Sequence, residues 1–307
     1  MLDTVKTIFR PDVDFDDIPV GNILELGFNF VNPSDADLEV YNRLSGCYQS
    51  FSEMSEQDRI FLSTLVSQNK PQKVLELGVS HGASSVVILN ALKENPSSRL
   101  YSLDYNEYHY RVKGKKTGYF VEGFPDLKKN WSLHTGGFAL NFLDKIASTE
   151  IESEKFDMCL IDTVHSSPGE ILDFLQVLPY LKKNAIVIFH DTNLQLYLDG
   201  NLGRVNYDVN NILMSSINGE KLIPSPYPKK SALGYFFNNI GAVRLKDVNL
   251  YNIFNLLSQK WYYMPPERDL NDFKFFLERF YDKYYCKYFE QIIEMQKYLN
   301  DFIRYSK

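Results

Sequence analysis

The sequence predicts an α/β protein built on a mostly parallel sheet with helices on both faces. Three observations carry this. Short apolar strands alternate with helical patterns between residues 55 and 190. The strands read as near-continuous apolar runs such as Ala185-Ile186-Val187-Ile188-Phe189, the mark of strands buried on both faces. Several strands end in a glycine, an acid or a histidine, where open α/β sheets bind ligands.

The elements follow in order. Residues 1–50 carry turn formers at Pro11, Pro19 and Pro33 and read as short strands and loops. Ser55 with Asp58 three residues later is a helix start, and Ile60, Phe61, Leu65 and Val66 continue the pattern until Pro71. Val74-Leu75-Glu76-Leu77 is a strand, and the small residues Gly78, Ser80 and Gly82 lead into a helix over 84–93. Residues 99–104 form a second strand ending in Asp104, followed by a polar, basic stretch over 105–130. A third strand over 131–134 leads through Gly136-Gly137 to a helix ending near Ile146. A fourth, 156–162, ends in Asp162, and a helix covers 168–181 with proline at its start. A fifth, 185–189, ends at His190-Asp191. Later expectations are a helix within 205–217, a loop over 224–228, a strand over 232–237, and helices from 249 onward broken at Pro265-Pro266.

Composition narrows the function classes. The formal charge of −6 over 307 residues argues against a general nucleic-acid binder, which carries a basic face. The apolar runs are strand-length, too short to span a bilayer. The first residues lack the apolar core of a secretory signal, and three cysteines far apart suit a reducing compartment, so the expected location is the cytoplasm. Aromatic residues make up 15% of the chain and crowd its last third, which should therefore pack as structure.

Four strand ends carry the chemistry. Glu76-Leu77-Gly78-Val79-Ser80-His81-Gly82 spaces acid and glycines differently from the Gly-x-Gly-x-x-Gly of dinucleotide sites. Its acid suits a cationic ligand, although an ordinary strand-to-helix turn would look similar. Asp104 stands where a carboxylate can accept ribose hydroxyls. Asp162-Thr163-Val164-His165 and His190-Asp191-Thr192-Asn193 bring acids and imidazoles to the same sheet edge. Histidine can act as a base near neutral pH, and carboxylates with a His or Asn can hold a divalent cation. At least one of these four groups is expected to be structural.

Together these segments resemble the class I S-adenosylmethionine (SAM)-dependent methyltransferases, in particular a bacterial small-molecule, sugar-type O-methyltransferase branch. The resemblance covers roughly residues 55–240. It implies a Rossmann-like sheet of seven strands, the last antiparallel, with SAM as cofactor. It further implies that Glu76, Gly78 and Gly82, with Ser80 in place of a common glycine, line the amino-acid moiety of SAM. Asp104 would bind the ribose, and Asp162 would lie beside the methionine end or at a metal. Gly136-Gly137 departs from the Gly-Asp that many relatives carry near adenine. Some relatives bind Mg²⁺, and Asp162, Asp191 and Asn193 are the matching positions here, Asn193 standing one residue farther along than in the catechol enzymes.

The reaction so implied is methylation of a hydroxyl on a small molecule such as a sugar or sugar nucleotide. His165 is the leading base, His190 the next, and Asp191 orients a histidine or holds a metal. The basic residues Arg111, Lys113, Lys115 and Lys116 could meet a phosphate, or form a solvated loop. Three other readings stay open: a nicotinamide-dependent oxidoreductase, a non-catalytic SAM-binding scaffold, and an iron site built from His165, His190 and Asp191. The expected organisation is an N-terminal extension over 1–54, a SAM-binding domain over 55–245, and a C-terminal helical region over 246–307. That last region would serve as a lid or in a homodimer. The expected partner is the small-molecule acceptor, with neither nucleic acid nor membrane.

Overall fold

Apolar side chains on alternate sides of the strands divide the core into two layers, one on each face of a sheet. The structure, a computed structural model, describes residues 28–48, 54–150, 155–194, 209–225 and 239–305. Its strands are β1 (Phe28–Val31), β2 (Lys73–Leu77), β3 (Arg99–Asp104), β4 (Trp131–Thr135), β5 (Phe156–Ile161), β6 (Leu181–His190), β7 (Gly219–Pro224) and β8 (Ile240–Leu245). They lie in the order β1-β7-β8-β6-β5-β2-β3-β4. Only β8 runs against its neighbours β6 and β7. This is the Rossmann-like methyltransferase sheet, seven strands with the last antiparallel, to which β1 adds an eighth beside β7.

In β5, Met158 and Leu160 face one layer while Phe156, Cys159 and Ile161 face the other. The first layer holds helices α1 (Asp35–Asn42), α2 (Glu56–Asn69) and α3 (Ala83–Leu92). The second holds α4 (Leu140–Lys145), α5 (Gly169–Val177) and α6 (Val209–Ser216). The C-terminal helices α7 (Leu250–Leu257), α8 (Glu267–Phe280) and α9 (Lys283–Tyr305) join this second layer through Phe254, Phe273 and Phe289, all with no exposed surface. Burying such rings stabilises by about 1.5–3 kcal/mol each, so these helices are core. No helix among the described residues is long and apolar enough to cross a membrane.

Two elements differ from the sequence reading for identifiable reasons. Residues 35–42 are helical, started by a capping box in which Ser34 and Asp37 satisfy each other's backbone amides, the same device that starts α2 at Ser55 and Asp58. The fourth crossover helix stops at Val177 because Pro179 follows, and β6 already begins at Leu181. The strand expected over 232–237 lies outside the described residues. Late strands are seen at β7 and β8, and the run after Pro266 divides into α8 and α9 at Tyr281-Asp282.

The turn after β2 positions the site. Gly78 has φ +85°, and a Cβ there would stand 1.7 Å from the carbonyl oxygen of Asp162. Its N–H donates to Leu103 O at 2.9 Å, and Asp162 N donates to Leu77 O at 2.9 Å. Gly78→Ala is therefore expected to cost at least about 2 kcal/mol of unfolding free energy in a urea titration. Gly46→Ala, at a glycine with open space around it, should be nearly neutral. Equal small effects would show that the close approach is dispensable.

Candidate active site

A cavity of about 640 Å³ opens at the carboxyl ends of β2, β3, β4 and β5, within the range of small-molecule sites. The turn over 78–81 lines one side, with Asp104, Asp162 and His165 around it. The C-terminal segment reaches the same space through Tyr263, Pro265 and Asp269.

Glu76 does not reach the cavity. Its carboxyl is fully buried beneath the turn and accepts from Ser84 Oγ at 2.6 Å, Ser85 Oγ at 2.7 Å and Ser102 Oγ at 2.5 Å. Period-two alternation explains this: Glu76 shares its sheet face with Val74, while Leu75 and Leu77 face the other layer. Burial pushes its pKa up to about 7, against the opposing pull of the three hydroxyls. The residue anchors the first turn of α3 to β2 and β3. Gly82 likewise supports the turn, since at φ +97° its missing Cβ would touch Gly118.

Ser80 and Asp104 are coupled. Asp104 Oδ2 accepts from Val79 N at 2.9 Å and Ser80 N at 3.0 Å, and Oδ1 accepts from Asn106 N at 2.8 Å. A carboxylate offers about four acceptor positions, so one remains for a ligand hydroxyl rather than the two expected. Ser80 adopts φ +51° where glycine would be unstrained, and its Oγ lies 3.3 Å from His109 Nε2. Residues 105–121 fold back onto this turn: Gly118 N donates to Ser80 O and Phe120 N to His81 O, each at 2.9 Å. Of the four basic residues in that stretch, Arg111 lines the cavity, its guanidinium 4.8 Å from the centre of the Tyr110 ring, while Lys113, Lys115 and Lys116 do not.

The ends of β5 and β6 meet as a charge cluster. His165 Nδ1 lies 3.1 Å from Asp191 Oδ2 and 3.9 Å from Asp162 Oδ1. His190 Nδ1 lies 3.2 Å from Asp162 Oδ1 and 3.3 Å from Asp191 Oδ2, and its Nε2 is 3.6 Å from Asp58 Oδ2. Burial disfavours a charged His190, but Asp162, with Asp191 and Asp58, overrides that and holds its pKa well above the usual histidine range. Burial also works against ionising Asp191, yet His190 keeps that carboxyl below its ordinary value. His190 is thus the buried cation of the cluster and does not line the cavity, which corrects its candidacy as a base.

One atom of each of Asp162, His165 and Asp191 lies within 4.8 Å of the other two, a spacing that fits a divalent cation. His165 Nδ1, buried and without a hydrogen bond, points into this group. Asn239 ties Asn193 to the same end of β6, since Asn193 N donates to Asn239 Oδ1 at 2.9 Å while Asn239 Nδ2 donates to Asp191 Oδ1 at 2.5 Å. His165 and Asp191 share φ near +55°, so both turns hold strained backbone at the site.

Sequence reasoning missed Asp58, Glu170, Asp173 and Tyr263. Glu170 is fully buried and accepts from the backbone of His165 and, at 2.9 Å, of Ser166, which sets the His165 turn. Burial, with Asp173 beside it, raises its pKa well above the carboxylate range. A signal existed in Glu170-Ile171-Leu172-Asp173-Phe174, two acids inside an apolar helical run. No local pattern points to Tyr263.

Residues 75–192, well under half of the chain, match a family described as a methyltransferase domain. Among solved structures, the chain is similar to the O-methyltransferase TomG from Streptomyces achromogenes, crystallised with SAM. Identity is 14% and the TM-score 0.46, covering 76% of this chain and 100% of that one. It is also similar to an O-methyltransferase from Bacillus cereus in complex with S-adenosylhomocysteine (SAH). There, identity is 18% and the TM-score 0.44, covering 73% of this chain and 96% of that one. Likeness at these scores carries no inference about activity. No curated protein matches the chain.

The Glu76 anchor has a pH signature. Its folded pKa lies above the unfolded one, so the native state holds the extra proton between the ordinary carboxylate range and about pH 7. The stability contributed by protonated Glu76 is complete below the unfolded pKa and is lost as pH rises through 7. Glu76→Gln should therefore gain stability relative to the parent protein between pH 5 and pH 8, read from urea melts at each pH. A constant difference across that window would contradict the assignment.

Proposed function

We propose that the chain is a SAM-dependent methyltransferase that transfers a methyl group to a hydroxyl of a small molecule such as a sugar or sugar nucleotide. The observation that carries this is one cavity joining the Gly78–His81 turn, Asp104 and the Asp162–His165–Asp191 cluster. The match of residues 75–192 to a methyltransferase domain supports it. The spacing of the turn does not suit a nicotinamide dinucleotide.

When bound, SAM supplies an electrophilic methyl on a sulfonium. Gly78 and Ser80 would hold its amino-acid arm, and the remaining acceptor position of Asp104 would take a ribose hydroxyl. Asp162 would lie beside the sulfonium end. His165 takes the acceptor hydroxyl's proton on the ring nitrogen away from the carboxylates, while Asp191, 3.1 Å from Nδ1, orients the ring and steadies its charge. In that transfer the acceptor oxygen would gain the methyl group and sulfur would keep the electron pair of the broken S–CH₃ bond. If Asp162, Asp191 and His165 Nδ1 held a divalent cation such as Mg²⁺, His165 would carry its proton on Nε2, and the cation would acidify the acceptor hydroxyl in place of the histidine base. Tyr105, Tyr108 and Tyr110, all more than half exposed and lining the mouth with Arg111, suit a ring bearing an anionic group. The C-terminal segment with Tyr263 acts as the roof of the acceptor side.

Calorimetry tests the reading. The protein is expected to bind SAH, and His165→Ala to lose on the order of 10²–10⁴-fold in turnover with SAH affinity nearly unchanged. Absence of SAH binding at millimolar ligand would overturn the cofactor assignment. Collapse of SAH affinity in His165→Ala would make His165 a cofactor or structural residue.

A further inference from the structure

The loop after β3 is a braced projection beside the cavity mouth. Its arms are joined at the base. Thr117 N donates to Glu107 O at 3.0 Å, Thr117 Oγ1 donates to Asn106 O at 2.6 Å, and Tyr108 pairs with Lys116 in an antiparallel bridge. The buried His109 imidazole holds the tip from inside. Its Nδ1 accepts from Arg111 N at 3.1 Å and Val112 N at 2.9 Å, and its backbone N–H donates to Lys115 O at 2.9 Å. With Nδ1 accepting, the ring proton sits on Nε2, 3.3 Å from Ser80 Oγ, so the tip is fixed to the turn after β2.

This frame presents rings and cations to solvent. Every residue from Tyr110 to Lys116 is exposed. Of the thirteen large apolar or aromatic residues exposed among the described residues, four fall within eight positions: Tyr105, Tyr108, Tyr110 and Val112. The same stretch carries Arg111, Lys113, Lys115 and Lys116 against the single acid Glu107, in a chain whose formal charge is −6. Solubility alone requires neither the rings nor the internal frame. Tyr108, Tyr110 and Arg111 line the cavity, whereas Val112 and the three lysines lie beyond it, so an acceptor inside the cavity leaves the tip unused.

Tyrosine suits the boundary between water and a bilayer, where its ring meets apolar chains and its hydroxyl meets headgroups. Lysines are attracted to an anionic leaflet, and a peripheral contact needs no spanning segment. Nucleic acid also meets cations and rings, but Val112 within the tip offers a base nothing to stack on.

We propose that residues 110–116 dock the protein on an anionic membrane surface, with Tyr110 and Val112 at the headgroup boundary and Lys113, Lys115 and Lys116 over the lipid phosphates. Docking sets the cavity mouth at that surface. The assignment is independent of which cofactor the cavity holds. It departs from the sequence-based expectation of no membrane partner, which argued only against a segment that crosses a bilayer.

Sedimentation of the full chain tests this, with vesicles of phosphatidylcholine alone and of phosphatidylcholine mixed equally with phosphatidylglycerol. The parent protein should pellet with the anionic vesicles, stay in solution with the neutral ones, and be released as salt rises. Lys113→Glu, Lys115→Glu and Lys116→Glu together should weaken vesicle binding on the order of 10²-fold or more. The same reversal at the exposed Lys283, Lys287 and Lys297 of α9 should have little effect. If the triple loop variant does not fold, judged by urea melts, Lys115→Gln with Lys116→Gln serves instead, with a loss of about tenfold or more. Parent protein that stays in solution with both vesicles, a loop variant that binds like the parent, or an equal loss from the α9 set overturns the proposal. So does tighter binding to a single-stranded oligonucleotide than to the anionic vesicles. Binding of inorganic diphosphate at these lysines without vesicle binding also overturns it and makes the loop a phosphate site of the acceptor.

Discussion

The site depends on one close approach, that of the Gly78 backbone to the carbonyl of Asp162. No side chain fits there, and the hydrogen bonds from Gly78 to Leu103 and from Asp162 to Leu77 join the ends of β2, β3 and β5 at that point. The turn after β2 can then swing away at positive φ and leave a crevice above the sheet. Asp104 reinforces the turn from β3 by accepting two of its amides. The carboxylate read as a ligand group is thus first a structural one, with a single acceptor position to spare.

Beneath and beside the crevice, buried ionisable groups are satisfied by hydrogen bonds or by pairing. Glu76 is satisfied by three serine hydroxyls, Glu170 by the amides of the His165 turn, and the carboxylates at the ends of β5 and β6 by a buried histidine cation. A buried ionised group without such partners would cost several kcal/mol. His190 neutralises carboxylates that would otherwise repel each other, and Asp58 links that cation to α2. The strain at Ser80, His165 and Asp191 is held in place by these contacts.

Most of the sheet was legible in the sequence because its strands are buried on both faces and their apolar runs are unmistakable. The same reading missed β7 and β8, because β7 carries Glu220 and Lys221 inside it and β8 has Gly241 near its start. The four strand ends were legible as a site, and Asp162, His165 and Asp191 do converge. What could not be read was orientation. Whether Glu76 faces the ligand or the core depends on strand parity relative to both layers, and whether His190 is a base or a cation depends on three carboxylates brought from distant segments. Asp58 and Tyr263 reach the site only through tertiary packing, which no local pattern encodes.

The most direct test of the central claim is a crystal structure of the protein with SAH. The account predicts the amino-acid arm over Gly78 and Ser80, one ribose hydroxyl on Asp104, and the sulfur facing Asp162 and His165. Density for the ligand away from the Gly78 turn, with Asp104 contacting only protein amides, would contradict it.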